Sequence, residues 1–212
     1  MDISWLGHSS FRIKGKYATL VTDPYAASTG LKFPKTDCDI VTISHGHQDH
    51  NDLSKIGGEP KVVSGPGEYE IKEVSIFGIQ TFHDDSLGKE RGRNTVYSIT
   101  MDGLHLCHLG DLGHKLTQDQ LGEIGQVDIL FTPVGGVYTI DAEAAVGAVS
   151  AIEPKIIIPM HYKVPGLAYD LETVEAFVKE IGMEPTKVEK YNATSDKLPE
   201  EWADYLAMAD EV

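Results

Sequence analysis

The segment Ser44-His45-Gly46-His47-Gln48-Asp49-His50 places three imidazoles and one carboxylate within six positions. Imidazole nitrogen and carboxylate oxygen together suit a borderline-soft divalent cation, zinc foremost, and the same donors accept manganese or iron. His45, His47 and Asp49 stand at i, i+2 and i+4. An extended backbone would project those three to one side and send His50 elsewhere, toward a second metal. Protonated imidazoles this crowded repel one another, so a cation that draws their lone pairs together explains the cluster better than a solvated loop. One loop does not complete a catalytic site. Further donors lie at the ends of apolar runs: His83 before Asp84-Asp85, Asp111 within His108-Leu109-Gly110-Asp111-Leu112-Gly113-His114, and His161 after residues 156–160. His8 lies between the first two runs.

These runs are the elements that must position the donors. Short β-type stretches cover residues 3–6, 11–13, 18–21, 39–43, 61–64 and 74–82. Residues 95–101 and 104–109 flank Asp102-Gly103, a two-residue hairpin signal. The second half alternates: strand 129–133, helix 142–152 capped by Asp141, strand 155–159, helix 171–181 ending at Gly182, and a last strand at 186–191. Residues 199–209 read as a short acidic terminal helix. Strands first and αβ alternation afterwards predict an α/β protein of layered sheets flanked by helices. No linker divides the 212 residues. One domain over 1–212 is therefore expected, with a core over about 3–191 and an acidic tail at 192–212.

The donors and their spacing resemble the metallo-β-lactamase-fold hydrolases. The resemblance rests on HxHxDH at 45–50, the strand-ending His83, the Gly110-Asp111 step and His161, with Asp23 in Val-Thr-Asp-Pro as an early structural aspartate. It spans residues 3 to about 181. Trp5 to Phe11 (WLGHSSF), 108–114 (HLGDLGH) and 158–162 (IPMHY) are similar to a branch of small bacterial and archaeal metal-dependent hydrolases, close to the lactonase-type members. The resemblance implies an αβ/βα four-layer sandwich, two mixed sheets face to face with helices outside. It implies that His45, His47 and His83 bind one metal, that Asp49, His50 and His161 bind the other, and that Asp111 bridges them. The two divalent ions, zinc before manganese or iron, would then share a hydroxide that attacks a small ester, lactone or phosphoester. Asp49 would orient that hydroxide. His8 and His114 are candidates to assist at the leaving group, and Asp23 would hydrogen-bond the backbone of the metal loop. Other readings remain open: an iron-dependent oxidoreductase or dioxygenase on the same scaffold, or a metal-binding module without turnover.

Composition limits the partners. The net charge is −15, with residues 1–100 at −2 and 101–212 at −13. A net acid is repelled by nucleic acid and by anionic membrane, so neither is expected as a partner. Lys89, Arg91 and Arg93 form the one basic cluster and could meet an anionic group on a small-molecule substrate. Two cysteines without a CxxC, Cys38 and Cys107, fit reduced thiols in a cytoplasmic protein. His108 and Cys107 read as buried residues, His105 as surface, and Tyr138 and Tyr162 as aromatic packing before pocket donors. The glycine pair 135–136 suits a tight turn.

Overall fold

Apolar side chains on both sides of the strands bury them on two faces. In the run Ile129–Pro133, Ile129 and Phe131 belong to one buried cluster and Leu130 to another; Ile156 and Ile158 divide from Ile157 in the same way. The computed structural model describes residues 1–199 and, as backbone, 204–208. In chain order the strands are β1 (Asp2–Gly7), β2 (Ser10–Lys14), β3 (Thr19–Thr22), β4 (Thr36–Asp37), β5 (Ile40–Ile43), β6 (Ile56–Gly57) and β7 (Lys61–Ser64). Then come β8 (Gly67–Ile71), β9 (Val74–Phe82), β10 (Arg93–Met101), β11 (Leu104–His108), α1 (Gln118–Ile124), β12 (Ile129–Pro133), α2 (Ala142–Ile152) and β13 (Ile156–Met160). The chain continues through α3 (Val174–Ile181), β14 (Thr186–Val188), β15 (Tyr191–Asn192) and β16 (Asp204–Met208).

Two mixed sheets result. The first runs β15-β1-β2-β3-β5-β7, the second β14-β16-β13-β12-β11-β10-β9-β8, and β4 pairs with β6 apart from both. The meanders β1–β3 and β8–β11 are antiparallel, whereas β3, β5 and β7, and β11, β12, β13 and β16, are parallel. Between the sheets lie Ile3, Phe11, Leu20 and Ile40 from the first and Ile76, Tyr97, Leu106 and Phe131 from the second. Burying one such side chain stabilises the fold by roughly 1.5–3 kcal/mol. The other cluster joins α2 and α3, through Ala145, Val149, Ile152 and Phe177, to Cys107, Leu130 and Ile157 of the second sheet. It also takes in Tyr25, Leu31 and Phe33, which lie in the segment after β3. This is the α/β sandwich expected from the sequence. Asp102 and Gly103, at φ 53° and 77°, make the expected tight turn between β10 and β11.

Three expectations change. The single strand over 186–191 is two short strands in different sheets, because β14 pairs with β16 while β15 pairs with β1. Residues 204–208 are not helical but form β16, whose Asp204 is the register partner of Ile156. The free edge of β13 offers a row of backbone partners that a local reading of the chain leaves out. The rest of that predicted helix, 200–203 and 209, lies outside the described residues. The acidic tail does not begin at 192, since Asn192 pairs with Asp2 and Ala193 is fully buried. Among the described residues, no helix is long and apolar enough to cross a membrane.

Candidate metal centre

Every donor singled out in the sequence, apart from His114, sits where a strand ends at one rim of the sandwich. His8 follows β1, residues 45–50 follow β5, His83 follows β9, Asp111 follows β11 and His161 follows β13. Loops beyond the carboxyl ends of strands are free to converge while the sheet fixes their roots. The backbone past β5 does not stay extended; it bends and turns from Ser44 to His50. The expectation that His45, His47 and Asp49 share a side therefore fails. His45 and His47 gather with His83, Asp49 gathers with His8, His50 and His161, and His45, His50 and Asp111 link the two groups. Within each group the ligand atoms lie within 4.8 Å of one another.

Asp111 is the hub. Its Oδ2 lies 3.2 Å from His50 Nε2, 3.1 Å from His83 Nε2, 3.2 Å from His161 Nε2 and 3.7 Å from His45 Nε2. All five residues are buried. One carboxylate oxygen cannot accept hydrogen bonds from so many imidazoles in good geometry. His50 Nε2 and Asp111 Oδ1 accordingly have no hydrogen-bond partner, and neither do the second ring nitrogens, Nδ1, of His8, His83 and His161, whose Nε2 atoms are the ones at Asp49 or Asp111. Such a buried, unsatisfied donor set fits divalent cations, which take their ligands from neutral imidazole nitrogens and carboxylates. Burial and the neighbouring His50 push the His45 ring down to about 3, so it is held neutral as a ligand must be. Burial and then His161 likewise push His8 down to about 4. Burial works against ionisation of Asp111, but the charges of His161 and His50 hold its carboxyl well below the usual carboxylate range. The Asp49 carboxyl is lowered too: burial opposes the shift, and the neighbouring His50 and His8 rings outweigh it.

Buried polar residues fix this arrangement from behind. Asp23 Oδ1 accepts from Ser44 N at 2.7 Å, and its Oδ2 accepts from Ser44 Oγ at 2.6 Å and lies 2.9 Å from His50 Nδ1. It thus holds the backbone of the metal loop and one imidazole together. Asn94 was not picked out in the sequence, yet its Oδ1 accepts from Asp111 N at 3.0 Å while its Nδ2 donates to Thr81 Oγ1 at 2.7 Å and Leu109 O at 2.9 Å. A side chain at Gly110 would meet that Asn94 Oδ1 at 2.4 Å, so only glycine brings Asp111 onto it. The backbone is strained at the rim: His8, Asp23 and His161 adopt φ 52°, 37° and 53°. His108 is a buried structural residue, with Nε2 2.9 Å from Ser9 O and Nδ1 accepting from Gly110 N.

His114 is not brought to the site. Its Nε2 accepts from Phe82 N at 3.1 Å and its Nδ1 lies 2.8 Å from Lys115 O, so both ring nitrogens are spent on backbone. It lines a different cavity, beside α1 and α2. His114 therefore has no ring nitrogen free to serve a leaving group, contrary to the expectation from the sequence. Tyr162 packs against Trp5, ring centroids 5.4 Å apart. A cavity of about 460 Å³ opens in front of the histidines, lined by His47, Asp49, His83, Asp111 and His161 and by Gln48, Arg91, Tyr138 and Tyr169. Tyr169 carried no sequence signal; a turn before α3 delivers it to 5.9 Å from the His8 ring.

Residues 2–161 match the family model of the beta-lactamase superfamily domain. The chain belongs to that superfamily. Within it, the chain is 27% identical over 217 residues to a UPF0173 metal-dependent hydrolase of Archaeoglobus fulgidus, covering 87% of this chain and 93% of that one. A solved Thermotoga maritima structure, described as a candidate zinc-dependent hydrolase of the metallo-beta-lactamase superfamily, superposes with a TM-score of 0.82 at 36% identity, covering 98% of this chain and 97% of that one. CmlA, a diiron beta-hydroxylase of Streptomyces venezuelae, shares the fold alone: TM-score 0.65 at 13% identity, over 99% of this chain and 53% of that one. A shared scaffold with different chemistries leaves the reaction to be argued from the site.

Proposed function

We propose that this superfamily member is a hydrolase of a small ester, lactone or phosphoester that works with two divalent ions, zinc first among them. The observation that carries the reading is the convergence of His45, His50, His83 and His161 on the single oxygen Asp111 Oδ2. His45, His47 and His83 would hold one ion, Asp49, His50 and His161 the other, and Asp111 would bridge them. When bound, such a pair supplies a Lewis acid that makes water nucleophilic near neutral pH and stabilises an oxyanion. The remaining roles belong to the chain itself. Asp49 faces the cavity and, held ionised, orients the attacking water rather than taking its proton. His8 Nε2 lies 3.3 Å from Asp49 Oδ2. A neutral imidazole there donates to Asp49 and fixes its angle, which makes His8 a positioning residue before an acid. Asp23 locks the orientation of His50, and Asn94 that of Asp111. The free, buried Cys38 and Cys107 support a cytoplasmic setting.

The test is an assay of neutral esters, lactones and bis-p-nitrophenyl phosphate by metal-loaded wild type and Asp111→Ala, with the metal content of each measured. Turnover that falls together with metal content supports the reading. Equal turnover by the two proteins sinks it, and metal analysis of protein made without added metal separates zinc from manganese and iron.

A further inference from the structure

The cavity has one wall that the metal ligands do not explain. Among the described residues, Arg91 is the one lysine or arginine that lines it; Lys89 and Arg93, its basic neighbours in the sequence, are exposed and lie outside the lining. The Arg91 guanidinium carbon stands 5.5 Å from the centre of the Tyr138 ring, a cation–π contact with another residue of the lining.

The loop that carries Arg91 is built to hold it there. Asp84 Oδ1 accepts from Ser86 N at 2.9 Å and Gly88 N at 2.7 Å, and Asp84 Oδ2 accepts from Glu90 N at 3.0 Å and Arg91 N at 2.8 Å. Residues 84–91 are thus wound around one buried carboxylate. Gly92 then donates to Gly88 O at 3.1 Å and accepts from His83 N at 3.0 Å, which ties the residue after the arginine to a residue of the histidine cluster. The guanidinium's ion pair is weak. It reaches Glu90 at 4.0 Å, and that glutamate side chain is 63% exposed. Among the described residues, neither carboxylate in the lining forms an ion pair with it: Asp49 Oδ2 lies 3.3 Å from His8 and Asp111 Oδ2 3.1 Å from His83. The fork therefore keeps donors for something that enters the cavity.

We propose that Arg91 is a specificity-determining residue that binds an oxyanion, a carboxylate or a phosphate, on the molecule occupying this cavity. The planar fork matches either group with paired N–H bonds, and a lysine in its place would meet it as a point charge. A chain of net charge −15 repels small anions at long range. A fixed cation at the mouth of the site offsets this where it matters. That the bound molecule is a substrate rests on the hydrolase reading above; that it is an anion does not.

The experiment keeps the two apart. Calorimetry on zinc-loaded protein would measure binding of succinate, of inorganic phosphate and of neutral succinamide. Arg91→Ala should weaken succinate, phosphate or both by roughly 10- to 100-fold, Arg91→Lys should recover part of the loss, and Lys89→Ala should bind as wild type does. The anion that loses more identifies the chemistry. In parallel, Arg91→Ala should raise KM for 4-nitrophenyl hemisuccinate several-fold more than for 4-nitrophenyl butyrate, while Lys89→Ala leaves both within about twofold. Arg91-dependent anion binding without turnover of either ester by wild type would support the anion site and count against the hydrolase reading. The proposal is overturned if wild type binds neither anion, if succinamide binds as well as succinate, or if Arg91→Ala binds both anions unchanged.

Discussion

Asp111 divides the histidine cluster into a deep half, where His8, His50 and His161 are at most 1% exposed, and an outer half, where His47 stands open to solvent. The halves also differ in what stands behind them. In the deep half, the His50 imidazole is backed by the buried Asp23 carboxylate at 2.9 Å, and the rings of His8 and His161, whose Nδ1 atoms have no partner, lie 4.3 Å apart. In the outer half, His45 Nδ1 has the Ser44 hydroxyl at 2.9 Å, and His83 Nδ1 has no partner. A carboxylate behind an imidazole fixes its tautomer and raises its basicity, whereas a hydroxyl does so weakly. The lesson is one of order: if each half takes an ion as proposed, the deep half would be preorganised for it and the outer half would be completed by it.

The largest effect should come from the residue the halves share. Asp111→Ala is expected to lower turnover by roughly 10²- to 10³-fold or more and to reduce the metal content of both halves, read by elemental analysis. Retention of two ions per chain would show that the halves do not depend on their bridge. Next, zinc titration of metal-free protein should resolve a tight and a weak step, separated by roughly tenfold or more. His161→Ala should remove the tight step and His47→Ala the weak one; loss of the same step in both variants would break the comparison. Asp23→Asn should weaken the tight step alone by roughly 10- to 100-fold, since it removes the charge behind His50 and keeps the shape. If the weak step moves as much, Asp23 serves the loop as a whole.

The smallest effect is in pH dependence. Burial, then His161, lowers the His8 ring to about 4 from its ordinary 6.5. The unfolded chain then binds the extra proton between those values, so this contribution to metal-free stability is present above pH 6.5 and lost as pH falls through 4. His50 has the opposite sign: burial disfavours its charge, but Asp111 raises it well above the ordinary value. Its contribution is present below pH 6.5 and lost as pH rises through the raised value. Denaturant midpoints of metal-free His8→Gln and His50→Gln, followed against pH, should diverge from wild type in opposite directions. Parallel curves would show that neither ring titrates as its surroundings imply.

The donors were legible in the sequence because their types are rare together and because each follows an apolar run. How they divide was not legible from local geometry. An extended backbone would place Asp49 with His45 and His47, and the turn at residues 48–50 places it with His50 instead. Asn94 and Tyr169 were invisible for a related reason: each acts through a contact distant in the chain, and neither belongs to a motif. The helix α1 could have been read, since Thr117 and Gln120 form a capping box. The strand β16 could not, because its partners are edges that exist only once the sheet has formed. His114 misled by proximity, lying in a site motif while its ring serves the backbone of Phe82.

The left-handed backbone at His8, Asp23 and His161 sets the molecule's prospects under selection. At Asp23 the strain, on the order of 1 kcal/mol, is outweighed, because glycine there would leave Ser44 N, Ser44 Oγ and His50 Nδ1 buried without the carboxylate they share. At His8 and His161, whose Nδ1 atoms have no partner, glycine would relieve similar strain and delete a group the site uses. Heat tolerance and metal retention therefore pull codons 8 and 161 in opposite directions. A library screened for thermal survival alone should accumulate glycine at positions 8 and 161 and keep Asp23, and one screened under zinc limitation should keep all three side chains. Sequencing both pools would show whether the rim records a compromise between these demands.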